Sequence, residues 1–160
     1  MLPLVTERLL IRRFVEKDWS DLLEYAGDPR TVAYLDYDTA NADMVKEFIA
    51  EHSGREIGVE GDYCALAIQH KADGKVIGDV GIRVRSKADR QGEIGWNLNA
   101  AYQSQGYATE AARLLLAFGF ATLDLYRIMA ACDDRNQASL RLMERLGMRR
   151  EAHLIHNGWY

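Results

Sequence analysis

Gln103-Ser104-Gln105-Gly106 stands directly before a long, mostly apolar stretch. The first N–H groups of a helix have no internal partners, and the macrodipole adds partial positive charge there. A glycine lets the backbone approach a ligand closely, so Gln-x-x-Gly entering a helix suits an anion such as a pyrophosphate. A plain strand-to-helix turn, with glycine for steric ease, is the other reading of the same four residues. Gly-x-x-x-x-Gly-Lys-Ser/Thr and Gly-x-Gly-x-x-Gly are both absent, which removes the main support for a P-loop or dinucleotide fold. His153 and His156 invite a metal reading. Three apart on a strand, they project to different faces and no Cys or carboxylate completes a set, so no metal is expected. Cys64 and Cys132 lie in apolar or strand-like stretches and read as buried free thiols.

These residues need a scaffold. The chain has 160 residues, 48% of them hydrophobic, which fits one domain with an ordinary core. A formal charge of −4 argues against nucleic-acid binding. No run of about 18 apolar residues offers a membrane span. "MLPLVTERLL" lacks the basic start and small-residue cleavage site of a signal peptide, so a cytoplasmic setting is the expectation. "RLLIRRF", Arg8 to Phe14, alternates as a first strand. Asp18 is positioned to cap a helix over "WSDLLEYAG", with Asp21 three residues on. A second helix, Ala42 to His52, sets Met44, Val45, Phe48 and Ile49 on one face. "YCALAIQH" and "VIGDVGIRVR" flank Asp73-Gly74, a hairpin signal, and "GEIGWNLN" continues an antiparallel meander. A long helix is expected from about Gln105 to Leu123, a strand at "YRIMAACD", and a helix over "NQASLRLMERL" stopped by Gly147. "MRREAHLIHNGWY" is a last strand candidate. The order β-α-α-β-β-β-α-β-α-β predicts a mixed α/β fold: a mostly antiparallel twisted sheet, one parallel pair around the long helix, and flanking helices.

With its neighbours, the opening tetrapeptide resembles a family, the GNAT N-acetyltransferases. Their acyl-CoA signature is Gln/Arg-x-x-Gly-x-Gly/Ala, and Gln103-Ser104-Gln105-Gly106-Tyr107-Ala108 matches every specified position. "TERLLIRRF" is similar to the opening of the subgroup that includes the RimJ and RimL ribosomal-protein Nα-acetyltransferases. "EIGWNLN" resembles the family's fourth strand, and "NQASLRLMERLGM" its Asn-x-x-Ser-x-x-Leu helix. The resemblance covers essentially the whole chain and implies a single acyl-CoA N-acyltransferase domain over residues 1–160. It implies acetyl-CoA as co-substrate, wedged where the fourth and fifth strands splay apart. The pyrophosphate would lie on backbone amides of about Gln105 to Thr109, within the Gln103 to Ala108 motif. Asn97, Leu98 and Asn99 would run beside the pantetheine, with an amide near Leu98 polarising the thioester carbonyl. Asn136 would bond the pantetheine from the far side.

Acetyl transfer needs a neutral amine, a stabilised oxyanion and a thiolate that regains a proton. An α-amine of pKa about 8 needs about 3 kcal/mol less help than a lysine of about 10.4. Glu93 opens the fourth strand, close to where histone-acetylating relatives place a glutamate. It is the first candidate base, acting through a water, with a solvated strand-end carboxylate as the other reading. His153 is the rival base. Many members carry Tyr after the Leu of the Asn-x-x-Ser-x-x-Leu helix to protonate the thiolate; here that position is Met143, which has no proton to give. Ser139, one turn earlier, is the candidate acid or sulfur contact, with a serine bonding its own backbone as the alternative. Tyr34 and Tyr37 lie where relatives build the acceptor cleft. Asp36 and Asp38 there would draw a cationic amine, or form a solvated acidic loop.

The leading reading is direct transfer in a ternary complex to a protein or peptide N-terminus or a small-molecule amine. Neither cysteine sits in a nucleophile motif, so no acetyl-enzyme is expected. The other reading is an acyl-CoA-binding sensor or scaffold without turnover, favoured by Met143 and opposed by the complete motif, Glu93 and Asn136. Relatives add a further strand, whereas here the Asn157-Gly158 turn signal comes just before Tyr160. Either the natural chain continues, or a shorter rim or a partner chain, as in a homodimer, covers that edge.

Overall fold

A computed structural model of the chain describes residues 2–35 and 38–155. Asp36, Tyr37 and His156 to Tyr160, with the Asn157-Gly158 turn signal, lie outside the described residues. The strands are β1 (Leu4–Val5), β2 (Leu9–Arg12), β3 (Tyr63–His70), β4 (Val76–Ser86), β5 (Gln91–Leu98) and β6 (Arg127–Met129). They form one six-stranded sheet in sequence order. Every neighbouring pair is antiparallel except β5 and β6, which are parallel. The expected mixed sheet with one parallel pair is therefore present. The two-residue β1 shifts the count by one, so the family's fourth and fifth strands are β5 and β6.

The helices are α1 (Trp19–Ala26), α2 (Pro29–Val32), α3 (Ala42–Ser53), α4 (Tyr107–Ala121) and α5 (Gln137–Arg145). Alternation along the strands divides the sheet between them. Leu9, Ile11, Leu66, Ile68, Val80, Ile82, Ile94 and Leu98 join Ala111, Leu115 and Phe118 of α4 in one core. Ala65, Ala67 and Val76 pack the opposite face against Leu22 and Tyr25 of α1 and Val45 and Ile49 of α3. Small residues on that face let the two helices sit close, and Phe14 fills the space beside them.

Several local expectations change. Asp18 does not cap α1. Its carboxylate takes a bidentate pair of bonds from Arg12, at 2.7 and 2.9 Å, and the Val15 N–H, because it is buried and needs a cation. Asp21 accepts instead from the Val76 N–H and ties α1 to the sheet. On α3, Met44 is exposed, while His52 takes the buried position one turn after Ile49 and accepts the Ala65 N–H on Nδ1. The helix at Gln105 begins two residues later, at Tyr107, because Gly106 adopts φ 87°, which ends the preceding turn. Gly147 behaves as expected: with φ 79°, it and Met148 return N–H bonds to the Glu144 and Met143 carbonyls and close α5. The strand expected over "YRIMAACD" pairs for three residues only, and Met148 to Ile155 forms no strand.

Candidate active site

The short β5–β6 ladder creates the opening. Its register runs Gln91↔Arg127, Gly92↔Ile128 and Glu93↔Met129, and stops. From Ile94 to Leu98, β5 keeps β4 on one side and has no strand on the other among the described residues. A row of backbone N–H and C=O groups therefore faces a slot between β5 and the segment leading to α5. Trp96, half-buried on the α4 side, reaches across it, its Nε1 donating to Ser139 Oγ at 3.3 Å. At the end of β5 the Leu98 carbonyl accepts from Gln103 Nε2 at 3.0 Å, so the signature glutamine holds the strand rather than standing free.

The loop that follows presents backbone. Ser104 and Gly106 both have positive φ, 61° and 87°, which turns the chain sharply before α4. The N–H groups of Ser104 to Thr109 find no acceptor among the described residues, while the Glu110 N–H already bonds the Gly106 carbonyl. These orphan donors and the α4 dipole point the same way. Arg8 adds a full charge. Its guanidinium donates to the Gln105 carbonyl at 3.1 Å, pairs with Glu110 at 2.6 Å, and lies 4.3 Å over the Tyr107 ring. Gln105 Nε2 bonds back to the Ala101 carbonyl. Tyr107 is buried, with its hydroxyl on His70 Nε2 at 3.1 Å, and Ala108 packs on the same core. A shallow cavity of about 660 Å³ opens beside this loop, with Arg8, Gly106, Thr109, Arg113 and Arg145 in its lining. Glu110 lines it too and pairs with Arg8, so Arg113 and Arg145 carry the surplus positive charge that, with the free amides, suits a phosphate group.

On the face away from α4, three strands place their residues in rows. Tyr63, Arg83 and Glu93 are register partners, and Ala67, Asp79 and Asn97 form a parallel row. Between the rows lie Gly81 and Gly95, and the Tyr63 ring covers both. A Cβ at Gly81 would sit 2.2 Å from Tyr63 Cζ, and one at Gly95 2.9 Å from its hydroxyl oxygen. Glu93 is the last β5 residue bonded to β6 and stands at the fork. Its carboxylate accepts from Arg85 at 3.0 Å, and Arg85 also contacts Met129. Asn97 donates to Asp79, which also accepts from the Tyr25 hydroxyl at 3.0 Å. Burial pushes the Asp79 carboxyl up to about 6 despite those two donors.

The remaining expected residues fall in varied places. Asn99 is buried, its amide donating to Glu24 and its oxygen accepting the Ala101 N–H, so its side chain holds the turn after β5. Asn136 caps α5, accepting the Ser139 N–H at 3.0 Å, and brings Ser139 to the slot. Thr109 meets Arg145 from α5 at 3.4 Å. His153 is exposed in the irregular tail and contacts Asp134 at 3.3 Å. Tyr34 and Asp38 are exposed. Burial raises the thiols of Cys64 and Cys132, which keeps both protonated at neutral pH. Arg8, Tyr63, Arg83 and Trp96 join the site without having been singled out from sequence. Arg8's place at the start of the first strand was the one available hint.

Comparison with known proteins bears on this arrangement. A family model described as an acetyltransferase (GNAT) domain matches residues 8–149. The uncharacterized N-acetyltransferase YnaD of Bacillus subtilis (strain 168) is 33% identical over 148 residues, covering 92% of this chain and 83% of that one. The spermidine N(1)-acetyltransferase of Escherichia coli (strain K12) is 28% identical over 123 residues, covering 74% and 60%. The crystal structure of a GNAT-family acetyltransferase from Bacillus anthracis superposes with a TM-score of 0.85 at 31% identity, covering 94% of this chain and 86% of the other. An anion-ready helix entrance beside a sheet that forks at Glu93, in a chain matched by that family almost from end to end, makes this protein a member of the GNAT acetyltransferases.

Proposed function

We propose that the chain transfers the acetyl group of acetyl-CoA directly to a primary amine within a ternary complex, as a RimJ/RimL-like member of its family. The acceptor is a protein or peptide N-terminus or a small-molecule amine. The observation that carries this reading is the run of unpartnered amides from Ser104 to Thr109, lying beside the edge of β5 left open beyond Glu93. Acetyl-CoA supplies the activated acetyl group as its thioester. Arg113 and Arg145 add charge where its phosphates would lie, and the unpaired β5 edge from Ile94 to Leu98 offers N–H groups to its pantetheine and carbonyl.

Transfer forms a C–N bond, breaks the C–S bond, takes one proton from the amine and returns one to the thiolate. Glu93 is the base: it stands at the fork, and a water between it and the amine spans the gap. Its bond to Arg85 orients the carboxylate, and Arg85 is flexible enough to follow. Ser139 supports the sulfur side, its hydroxyl oriented by Trp96 Nε1 while Met143 supplies no proton. Water then protonates the thiolate where Ser139 does not.

A thiol-release assay with acetyl-CoA against peptides, polyamines, aminoglycosides and amino acids tests the proposal, with Glu93→Gln and Ser139→Ala alongside. Turnover with one acceptor class, reduced in Glu93→Gln, supports it. Tight binding of CoA with no turnover across the panel would make the chain an acyl-CoA sensor instead.

A further inference from the structure

The face beside Glu93 carries an unspent cation. Arg85 pairs with Glu93, and Arg55 pairs with Glu51 and bonds the Tyr63 carbonyl. Arg83 is different. Its side chain makes no hydrogen bond or ion pair among the described residues, and its Nε is buried without a partner. Its guanidinium lies 5.7 Å from the Tyr63 ring centroid, which fixes its place by cation–π attraction without using any of its N–H groups. Arg83 as a whole is only half-buried, and its terminal nitrogens are not among the buried atoms without partners, so they are the N–H groups that a carboxylate could meet.

Its position ties the vacancy to the reaction. Arg83 is the direct register partner of Glu93 on β4, about 5 Å away across the sheet. Gly81 and Gly95 lie two residues along both strands, and the Tyr63 ring lies against them. An acceptor whose amine reaches Glu93 would therefore have a cationic side chain one strand away on the same face.

Building on the acetyltransferase reading, we propose that the acceptor carries a carboxylate close to its amine, as an amino acid does, and that Arg83 on the Tyr63 ring is the residue that selects it. Polyamines, which offer a second cation instead, are disfavoured by the same group.

The test compares amines that differ only in that charge: glycine with glycinamide, methionine with methioninamide, and spermidine as the cationic case, using the full chain and acetyl-CoA. Amidation lowers the amine pKa, so intrinsic reactivity favours the amide. A preference for the acid therefore reports on carboxylate binding. The expected acid-to-amide ratio in kcat/KM is about 10 to 100, the range of a charge-assisted bond. It falls toward one in Arg83→Gln through KM for the acid, recovers in part in Arg83→Lys, and leaves the KM for acetyl-CoA unchanged. Amides used as well as acids by the wild type, or a ratio untouched in Arg83→Gln, would overturn the inference while leaving acetyl transfer intact. Preference for phosphoethanolamine over ethanolamine without preference for carboxylates would overturn the assignment of the group. No turnover with acid, amide or polyamine, beside acetylation of a peptide N-terminus, would overturn the inference and leave acetyl transfer intact; silence with the peptide as well would overturn both.

Discussion

The two faces of the sheet are built from the same strands but from different residues. Toward α4 they present Leu66, Ile68, Val80, Ile82, Ile94 and Leu98, a dry layer packed on Leu115 and Phe118. Toward α1 and α3 the same strands present Ala65, Ala67, Asp79, Gly81, Arg83, Glu93, Gly95 and Asn97. One face is made to exclude water and the other to hold charge, small side chains and a tilted aromatic ring. The α4 face is apolar along its whole length, whereas the second face packs on α1 and α3 through Ala65, Ala67 and Val76 and elsewhere carries a buried carboxylate and a guanidinium without a partner among the described residues. Stability and chemistry are therefore separable by face, and substitutions should divide accordingly.

The largest effect on folding is expected from the dry face. Leu115 is fully buried, and Leu115→Ala should cost about 2–5 kcal/mol in urea unfolding while leaving the KM for acetyl-CoA of the folded fraction near its wild-type value. A smaller and opposite effect is expected at Asp79. Its folded-state value of about 6 lies above the ordinary carboxylate range, so its penalty is absent below about pH 4 and complete once the pH has risen through 6. Asp79→Asn should thus gain on the wild type between pH 4 and pH 7, by at most about 3 kcal/mol. Urea midpoints measured at several pH values check this, and a difference that does not change with pH would contradict it.

At the helix entrance, Gly106→Ala forces a side chain into φ 87° and should cost about 1–2 kcal/mol of stability. It should also weaken acetyl-CoA binding by calorimetry, since the amides from Ser104 to Thr109 lose their alignment. The smallest effect is expected across the slot. Trp96→Phe keeps an aromatic ring but removes the Nε1 bond to Ser139, which alone is worth about 0.5–1.5 kcal/mol in thermal unfolding.

What could be read from the sequence follows the same division between local and distant. The Asp73-Gly74 hairpin, the Gly147 stop and the Gln103 to Ala108 loop are contiguous, and backbone conformation in short segments is set by the residues in them. The sheet order followed because consecutive hairpins leave little choice of neighbour. The row Tyr63, Arg83 and Glu93 was hidden, because it exists only once three strands, spread over some thirty residues, fall into register. Asp18 was read as a cap because a carboxylate before a helix usually is one. Its partner, the half-buried Arg12, lies on a separate strand, so the pair forms only once the chain has folded. Ser139 was read as the acid or sulfur contact, with its own backbone as the alternative partner; the donor it meets, Trp96, comes from another element. Resemblance singled out Glu93, while its partner Arg85, one strand away, carried no local signal.

The central claim is that binding of acetyl-CoA and removal of the amine proton belong to different residues, the Ser104–Thr109 loop and Glu93. The most direct test is single-turnover acetyl transfer by Glu93→Gln, measured beside its affinity for acetyl-CoA. The account predicts unchanged affinity and a transfer rate lowered by about 100-fold or more, with the greatest loss for the most basic acceptors. A rate equal to the wild type's, with acetyl-CoA bound as tightly, would contradict it and leave water as the only base.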